Sequence, residues 1–178
     1  MKQNFILIGM PASGKSTSGV ILAKLLALDF IDTDLLIQRR EGLPLSAILE
    51  ARGIDGFLKA EEAACLSLDV SRTVIATGGS VVYSDAAMRH MKELGRVIFL
   101  DVPFDALAAR LSDIRGRGVV LRVGQTLRQL YEERMPLYRH YADLTVPEQN
   151  ASLEETVDAL CAACLEIRSQ KAGENRDH

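Results

Sequence analysis

Between Gly9 and Thr17 the chain reads Gly-Met-Pro-Ala-Ser-Gly-Lys-Ser-Thr, which meets every fixed position of Gly-x-x-x-x-Gly-Lys-Ser/Thr. An apolar run, Phe5-Ile6-Leu7-Ile8, leads in as a buried strand. Val20, Ile21, Leu22, Leu25 and Leu26 lead out at helical spacing. Lacking Cβ atoms at Gly9 and Gly14, the backbone can curl so that the N–H groups of this turn, Ala12 and Ser13 among them, converge on phosphate oxygens. The positive end of the following helix then lies beneath them. In such a cradle Lys15 would extend to the β- and γ-phosphates. The Ser16 hydroxyl, with Thr17 beside it, would complete the shell of a Mg²⁺ bridging them. The expected ligands are therefore ATP and Mg²⁺.

The remaining chain alternates short apolar runs with amphipathic stretches, the pattern of an α/β fold whose parallel sheet is covered on both faces. Strands are expected at Asp29-Phe30-Ile31-Asp32, Thr73-Val74-Ile75-Ala76, Val97-Ile98-Phe99-Leu100 and Leu144-Thr145-Val146. Between the second and third of the five strands, Leu35 to Arg40, Leu45 to Ala51 and Gly56 to Leu68 read as three helices divided by Gly42, Pro44 and Gly53. This exceeds a minimal crossover and is expected to cover a substrate. Ser84 should cap a helix to Leu94, and another runs from Phe104 to about Asp113. A helix from Thr126 should stop near Met135 against Pro136. Ser152-Leu153-Glu154-Glu155 reads as a capping box opening a last helix to about Ile167, with a polar, disordered tail from Ser169. No linker divides residues 1–168, so one domain is expected.

Composition narrows the partners. A net charge of −3 spread along the chain indicates neither a nucleic-acid stripe nor a basic membrane face. No apolar stretch is long enough to span a bilayer, and the N-terminus lacks the order of a signal peptide, so a cytoplasmic protein is expected, a monomer by default. Cys161 and Cys164 form a C-x-x-C, but within the apolar pattern of Val157, Leu160 and Leu165 and without a second ligand pair. Packing is the expected role there, not redox or metal chemistry.

Acids past the strand ends should face the phosphates, because ligands of open parallel sheets collect beyond the carboxyl ends of the strands. Asp32 and Asp34 lie there, one suited to the water shell of Mg²⁺ and the other to deprotonating an attacking hydroxyl. Asp101, at the end of the fourth strand, rivals Asp32 for the metal. A turn-capping role for Asp32 and a helix cap for Asp34 are the structural alternatives. Gly78-Gly79-Ser80 follows the third strand and offers amides and a hydroxyl to phosphate or substrate. The segment from Ile114 to Gln125, with Arg115, Arg117 and Arg122 among glycines, has the character of a lid closing on phosphate.

Together these stretches, with Ala76-Thr77-Gly78-Gly79, Arg117 before an apolar pair, and Arg134-Met135-Pro136-Leu137-Tyr138, resemble the shikimate kinase family from the first strand to about Val146. The resemblance implies a P-loop three-layer α/β/α sandwich of the nucleoside monophosphate kinase type, with strand order 2-3-1-4-5 and a lid at about 114–125. It implies that Lys15 and Ser16 serve ATP and Mg²⁺, that Asp32 serves the metal through water, and that Asp34 is the base. It assigns Arg117 to the lid, Arg110 to the adenine, Gly78 and Gly79 to the substrate, and Arg134 to the substrate carboxylate.

Two departures stand out. Members acting on shikimate typically carry Gly-Glu-x-x-Phe-Arg in the inserted helices, the arginine binding the substrate carboxylate; here Gly53-Ile54-Asp55-Gly56-Phe57-Leu58 ends in leucine. Lys59 lies about 100° around the helix and is no simple replacement. The family's third glycine is Ser80, and in the lid Arg-Pro becomes Arg117-Gly118. A lost cation suggests a small hydroxy acid acceptor without net charge: a hydroxy amino acid keeps a carboxylate for Arg134 and adds an ammonium for Glu61, three residues beyond Leu58. Homoserine is the first candidate and shikimate the alternative. A non-catalytic nucleotide-binding module would need neither a base nor lid arginines, and a nucleotide or gluconate kinase would need a different acceptor pocket.

Overall fold

Asn4–Ile8 is buried at every position, which demands cover on both faces and a neighbour along each edge. The computed structural model, which describes residues 3–111, 119–148 and 152–174 with side chains as far as 169, supplies both. Strands β1 (Asn4–Ile8), β2 (Asp29–Asp32), β3 (Thr73–Ala76), β4 (Gly95–Asp101) and β5 (Leu144–Pro147) form a parallel sheet in the order β2-β3-β1-β4-β5. Phe5 pairs with Val74 on one side and Arg96 on the other. The order is the one that the family resemblance implies.

Alternation along β1 sorts the two cores. Phe5 and Leu7 pack with Leu22 of α1 (Lys15–Leu25) and with Leu160 and Cys164 of α7 (Leu153–Glu174). Ile6 and Ile8 face Met88 and Met91 of α4 (Asp85–Leu94) and Tyr138 of α6 (Leu127–Tyr141). Cys161 and Cys164 are free thiols in the α7 packing, as expected of them. Among the described residues no helix is long and apolar enough to cross a membrane.

Helices α2 (Thr33–Glu41) and α3 (Leu45–Leu66) form the insertion between β2 and β3. Gly53 breaks α3 with φ 66° and ψ −176°, so the division expected there is present as a kink inside one element. Ile37, Ile48, Phe57 and Val120 make a smaller core that fastens residue 120 over these helices.

Two boundaries differ from expectation. Helix α6 does not stop at Pro136 but continues to Tyr141. Proline removes one hydrogen bond, to the Glu132 carbonyl, but Pro136 and Glu132 are both exposed, so water can take that carbonyl while buried Arg134, Met135 and Tyr138 hold the helix to the core. Helix α7 extends to Glu174, past the expected end near Ile167 and into the stretch read as a disordered tail. Helix α5 (Phe104–Leu111) leads to residues 112–118, so Arg115, Arg117 and most of the expected lid lie outside the described residues. Ser84 and the Ser152–Glu155 box cap their helices as predicted.

Candidate active site

The glycine-rich turn joins β1 to α1 through three left-handed or related residues: Gly9 at φ 147°, Ala12 at 62° and Gly14 at 88°. A Cβ on Gly9 would meet the Leu100 carbonyl oxygen at 2.9 Å, so the turn is pressed against the end of β4 and only glycine fits. The resulting concave backbone opens on the N-terminus of α1, a cradle suited to phosphate oxygens. Lys15, buried there, donates from Nζ to Gly9 O at 2.9 Å, Met10 O at 2.8 Å and Ser13 Oγ at 3.2 Å. Burial lowers its pKa to about 8 against the opposing pull of Asp34.

Across a cleft of about 140 Å³ the cradle faces the inserted helices and the turn after β3. Ala12, Gly14, Lys15, Ser16 and Thr17 line one side; Asp34, Glu61, Gly78, Gly79, Ser80 and Arg134 line the other, with Leu45 and Phe57 as its apolar wall. Asp32 caps α2, its Oδ1 accepting from Asp34 N at 2.9 Å and Leu35 N at 3.3 Å. The capping alternative is thus what this oxygen does. Buried Thr33 accepts from Gly78 N at 3.0 Å, so the acidic turn and the glycine turn are tied directly. Burial, then the charge of Asp32, raises the Asp34 carboxyl to about 6 in spite of Lys15. Asp101, the rival acid, pairs instead with Arg139 at 3.5 Å.

The Arg134-x-Pro-x-Tyr138 spacing places its ends on one face of α6. Tyr138, stacked on Phe99, donates to Gly79 O at 2.6 Å, and a Cβ on Gly79 would lie 3.1 Å from Arg134 Nη1. Arg134 is fully buried, yet among the described residues it has no carboxylate partner. Glu61 is 2% exposed, and its Oε1 accepts no hydrogen bond among those residues. Ser80 turns its hydroxyl to this carboxylate, and Gly78 makes room for it: a Cβ there would meet Glu61 Oε1 at 2.1 Å and Asp34 Oδ1 at 2.8 Å. Burial raises Glu61 to about 7, Ser80 opposing.

Not every expected residue reaches the cleft. Leu58 lines an adjoining cavity of about 110 Å³ behind Glu61 and Ser80, together with Lys59 and Tyr83. Phe57 and Glu61, four apart, take the cleft face of α3, and Leu58 is rotated away from it. Arg110 grips Glu148 with two bonds of 2.7 and 3.1 Å and reaches Ala12 O at 3.4 Å, which sets it above the phosphate turn. Sequence reasoning missed Glu148, Tyr83 and Tyr138 as partners because each acts across the fold; only Tyr138 carried a signal, its helical spacing from Arg134.

A family model, Shikimate kinase, matches residues 11–165. The chain belongs to the shikimate kinase family. The shikimate kinase of Thiobacillus denitrificans is 37% identical over 156 residues, 85% of each chain. Among solved structures, shikimate kinase from Aquifex aeolicus shares 33% identity with a TM-score of 0.80, covering 94% of this chain and 98% of that one. Shikimate kinase from Acinetobacter baumannii in complex with shikimate shares 28% identity with a TM-score of 0.79, over 98% and 95%. Membership makes the protein a P-loop small-molecule kinase that uses ATP with Mg²⁺ to phosphorylate an alcohol group. The donor set fits that pair: a concave amide cradle, a buried lysine and nearby oxygen ligands, which Mg²⁺ prefers.

Glu61 makes a pH-dependent prediction of its own. The fold holds its proton to about 7, the unfolded chain to 4.5. Its contribution to stability is therefore whole below pH 4.5 and lost as pH rises through about 7. Glu61→Gln, which cannot ionise, is expected to gain up to about 3 kcal/mol over the parent at pH 8 and little at pH 5, read by denaturant unfolding at both. A difference that is flat between the two overturns the assignment.

Proposed function

We propose that the protein transfers the γ-phosphoryl group of ATP to the hydroxyl of a small hydroxy amino acid, homoserine being the first candidate. The observation that carries this reading is the juxtaposition of Arg134 with Glu61 on the same side of the cleft: among the described residues, one buried cation has no carboxylate within ion-pair distance and one buried carboxylate oxygen has no donor, though each feels the other's charge. An acceptor with both a carboxylate and an ammonium would satisfy both. Leu58 supports it, because the residue at the family arginine's position brings no cation to Glu61, beside which it lines the adjoining cavity. Lys59 is exposed and outside the cleft, so it offers no substitute.

Bound ATP and Mg²⁺ supply the phosphoryl group and neutralise part of its charge. The amides from Gly9 to Thr17 and Lys15 bind the phosphates, and Arg110 stands beside the nucleotide. Ser16 and Asp32 would hold the metal; the charge of Asp32 acts on both Lys15 and Asp34, whereas Asp101 is paired with Arg139. Gly78 and Gly79 seat the acceptor against Ser80. Asp34 takes the hydroxyl proton as the acceptor oxygen bonds to the γ-phosphorus and the bond to ADP breaks. All these groups come from one chain, so a monomer suffices, and three free thiols accord with a cytoplasmic setting.

Shikimate is the second reading, favoured by the names of the relatives and by the complex of the Acinetobacter baumannii enzyme with shikimate. Steady-state rates with homoserine and shikimate at equal ATP separate the two. Homoserine is expected to have the higher kcat/KM, and Leu58→Arg is expected to lower it about tenfold or more by pairing with Glu61 while raising that for shikimate. Far better turnover of shikimate by the parent overturns the amino-acid reading. ATP binding without turnover of any hydroxy acid would point to a regulatory module.

A further inference from the structure

Arg134 is held from behind by a chain of polar groups that ends in the segment following residue 118. Its Nε donates to Tyr83 Oη at 3.1 Å, and the Tyr83 ring lies under the guanidinium at 5.0 Å. Tyr83, in a short 3₁₀ turn (Val81–Tyr83) just past the glycine turn, donates its hydroxyl to Glu133 Oε1 at 2.7 Å. The other carboxylate oxygen, Glu133 Oε2, accepts from Gln125 Nε2 at 2.6 Å, and Arg122 approaches Oε1 at 3.9 Å. A second route closes the loop, for Arg134 Nη2 donates to Val120 O at 3.3 Å, and Val120 is buried among Ile37, Ile48 and Phe57. Nε and Nη2 are thus engaged on the protein side, with the Tyr138 hydroxyl also within hydrogen-bond reach of the guanidinium, while Nη1 is directed at Gly79 and the cleft.

We propose that Tyr83 and Glu133 are positioning residues for the acceptor: their hydrogen bonds aim Arg134 Nη1 into the cleft and tie its orientation to residues Val120 and Gln125. The polarity of the chain is consistent from end to end. The Tyr83 hydroxyl accepts from the guanidinium and donates to the carboxylate at once, and the two oxygens of Glu133 accept from tyrosine and glutamine together. A buried arginine has several rotamers, and a carboxylate bound by one wrongly turned loses the geometry that makes the contact strong. Two tethers remove those alternatives before the acceptor arrives. The inference rests on the reading that Arg134 binds the acceptor carboxylate, but not on which acceptor it is, since homoserine and shikimate both carry one.

Tyr83→Phe keeps the ring beneath Arg134 and removes the hydroxyl. With whichever acceptor the parent turns over, this variant is expected to raise acceptor KM about tenfold, with the KM for ATP within about twofold and Tm little changed. Gln125→Ala is expected to raise acceptor KM severalfold in the parent and to add nothing in the Tyr83→Phe background, because the chain is already cut there. A purely structural tyrosine would move both KM values or Tm, and would combine additively with Gln125→Ala. Acceptor KM unchanged in Tyr83→Phe, or additive effects in the double variant, overturns the proposal. Arg134→Lys separates it from the reading beneath. No change in acceptor KM there sinks the carboxylate assignment itself, whereas a large change there with none at Tyr83 sinks the positioning role alone.

Discussion

Asp34→Asn is expected to lower kcat by 10²- to 10⁴-fold, the usual contribution of a positioned general base, while ATP binding stays within about twofold of the parent. The side chain keeps its shape, and its backbone N–H still bonds Asp32, so α2 and its cap survive the exchange. Stability should move the other way from activity. Burial and Asp32 raise this carboxyl from 3.8 to about 6, so the folded protein holds the proton more tightly than the unfolded chain. The associated stability is whole below 3.8 and gone above about 6, and an uncharged asparagine should gain on the order of 2 kcal/mol at pH 7. A more stable and inactive protein cannot be explained as misfolded. The same carboxyl is expected to set an acid limb of kcat/KM near pH 6 in the parent, a limb that should vanish with the variant. Full activity in Asp34→Asn would remove it from the role of base.

The strands were legible because each is built around a short apolar stretch ending where a polar turn begins, although β2 keeps only Phe30 and Ile31 between two aspartates. The cradle was legible for a related reason: Gly9 and Gly14 occupy backbone conformations that residues with a side chain rarely adopt, so the constraint is written in residue identity. Pro136 was misleading. Local propensity stops a helix there, but the missing hydrogen bond falls on the solvent side and the packing of Met135 and Tyr138 outweighs it. Leu58 lines the cavity that adjoins the cleft, beside Glu61 and Ser80. The motif located it beside the substrate, whereas the phase of α3 gives the cleft to Phe57 and Glu61. Partners that act across the fold, such as Tyr83 with Glu133 and Arg110 with Glu148, left no periodic trace, because nothing in a linear pattern relates residues so far apart. The lid reading at Arg117 lies outside the described residues.

Lys15→Met is expected to reduce kcat/KM for ATP about 10³-fold, comparable with removing a donor aimed at developing charge in a dry site. The lysine is costly to keep. The unfolded chain retains its proton to about 10.5 and the fold only to about 8, so the buried cation lowers stability below pH 8, an effect that fades as pH rises toward 10.5. Methionine removes that cost but leaves Gly9 O and Met10 O without their donor, and the two effects should leave Tm nearly unchanged at pH 7. A fold that tolerates the loss while catalysis does not would mean that the cation is held for phosphate. Lys15→Arg sharpens the point. It preserves charge at every pH, yet its planar fork cannot occupy a pocket in which one nitrogen meets three oxygens between 2.8 and 3.2 Å, so it too should be strongly impaired. Near-normal kcat/KM in Lys15→Met would mean that the phosphates are held by the backbone amides alone. Near-normal rates in Lys15→Arg only would mean that charge, rather than the point geometry of the ammonium, is what the cradle requires.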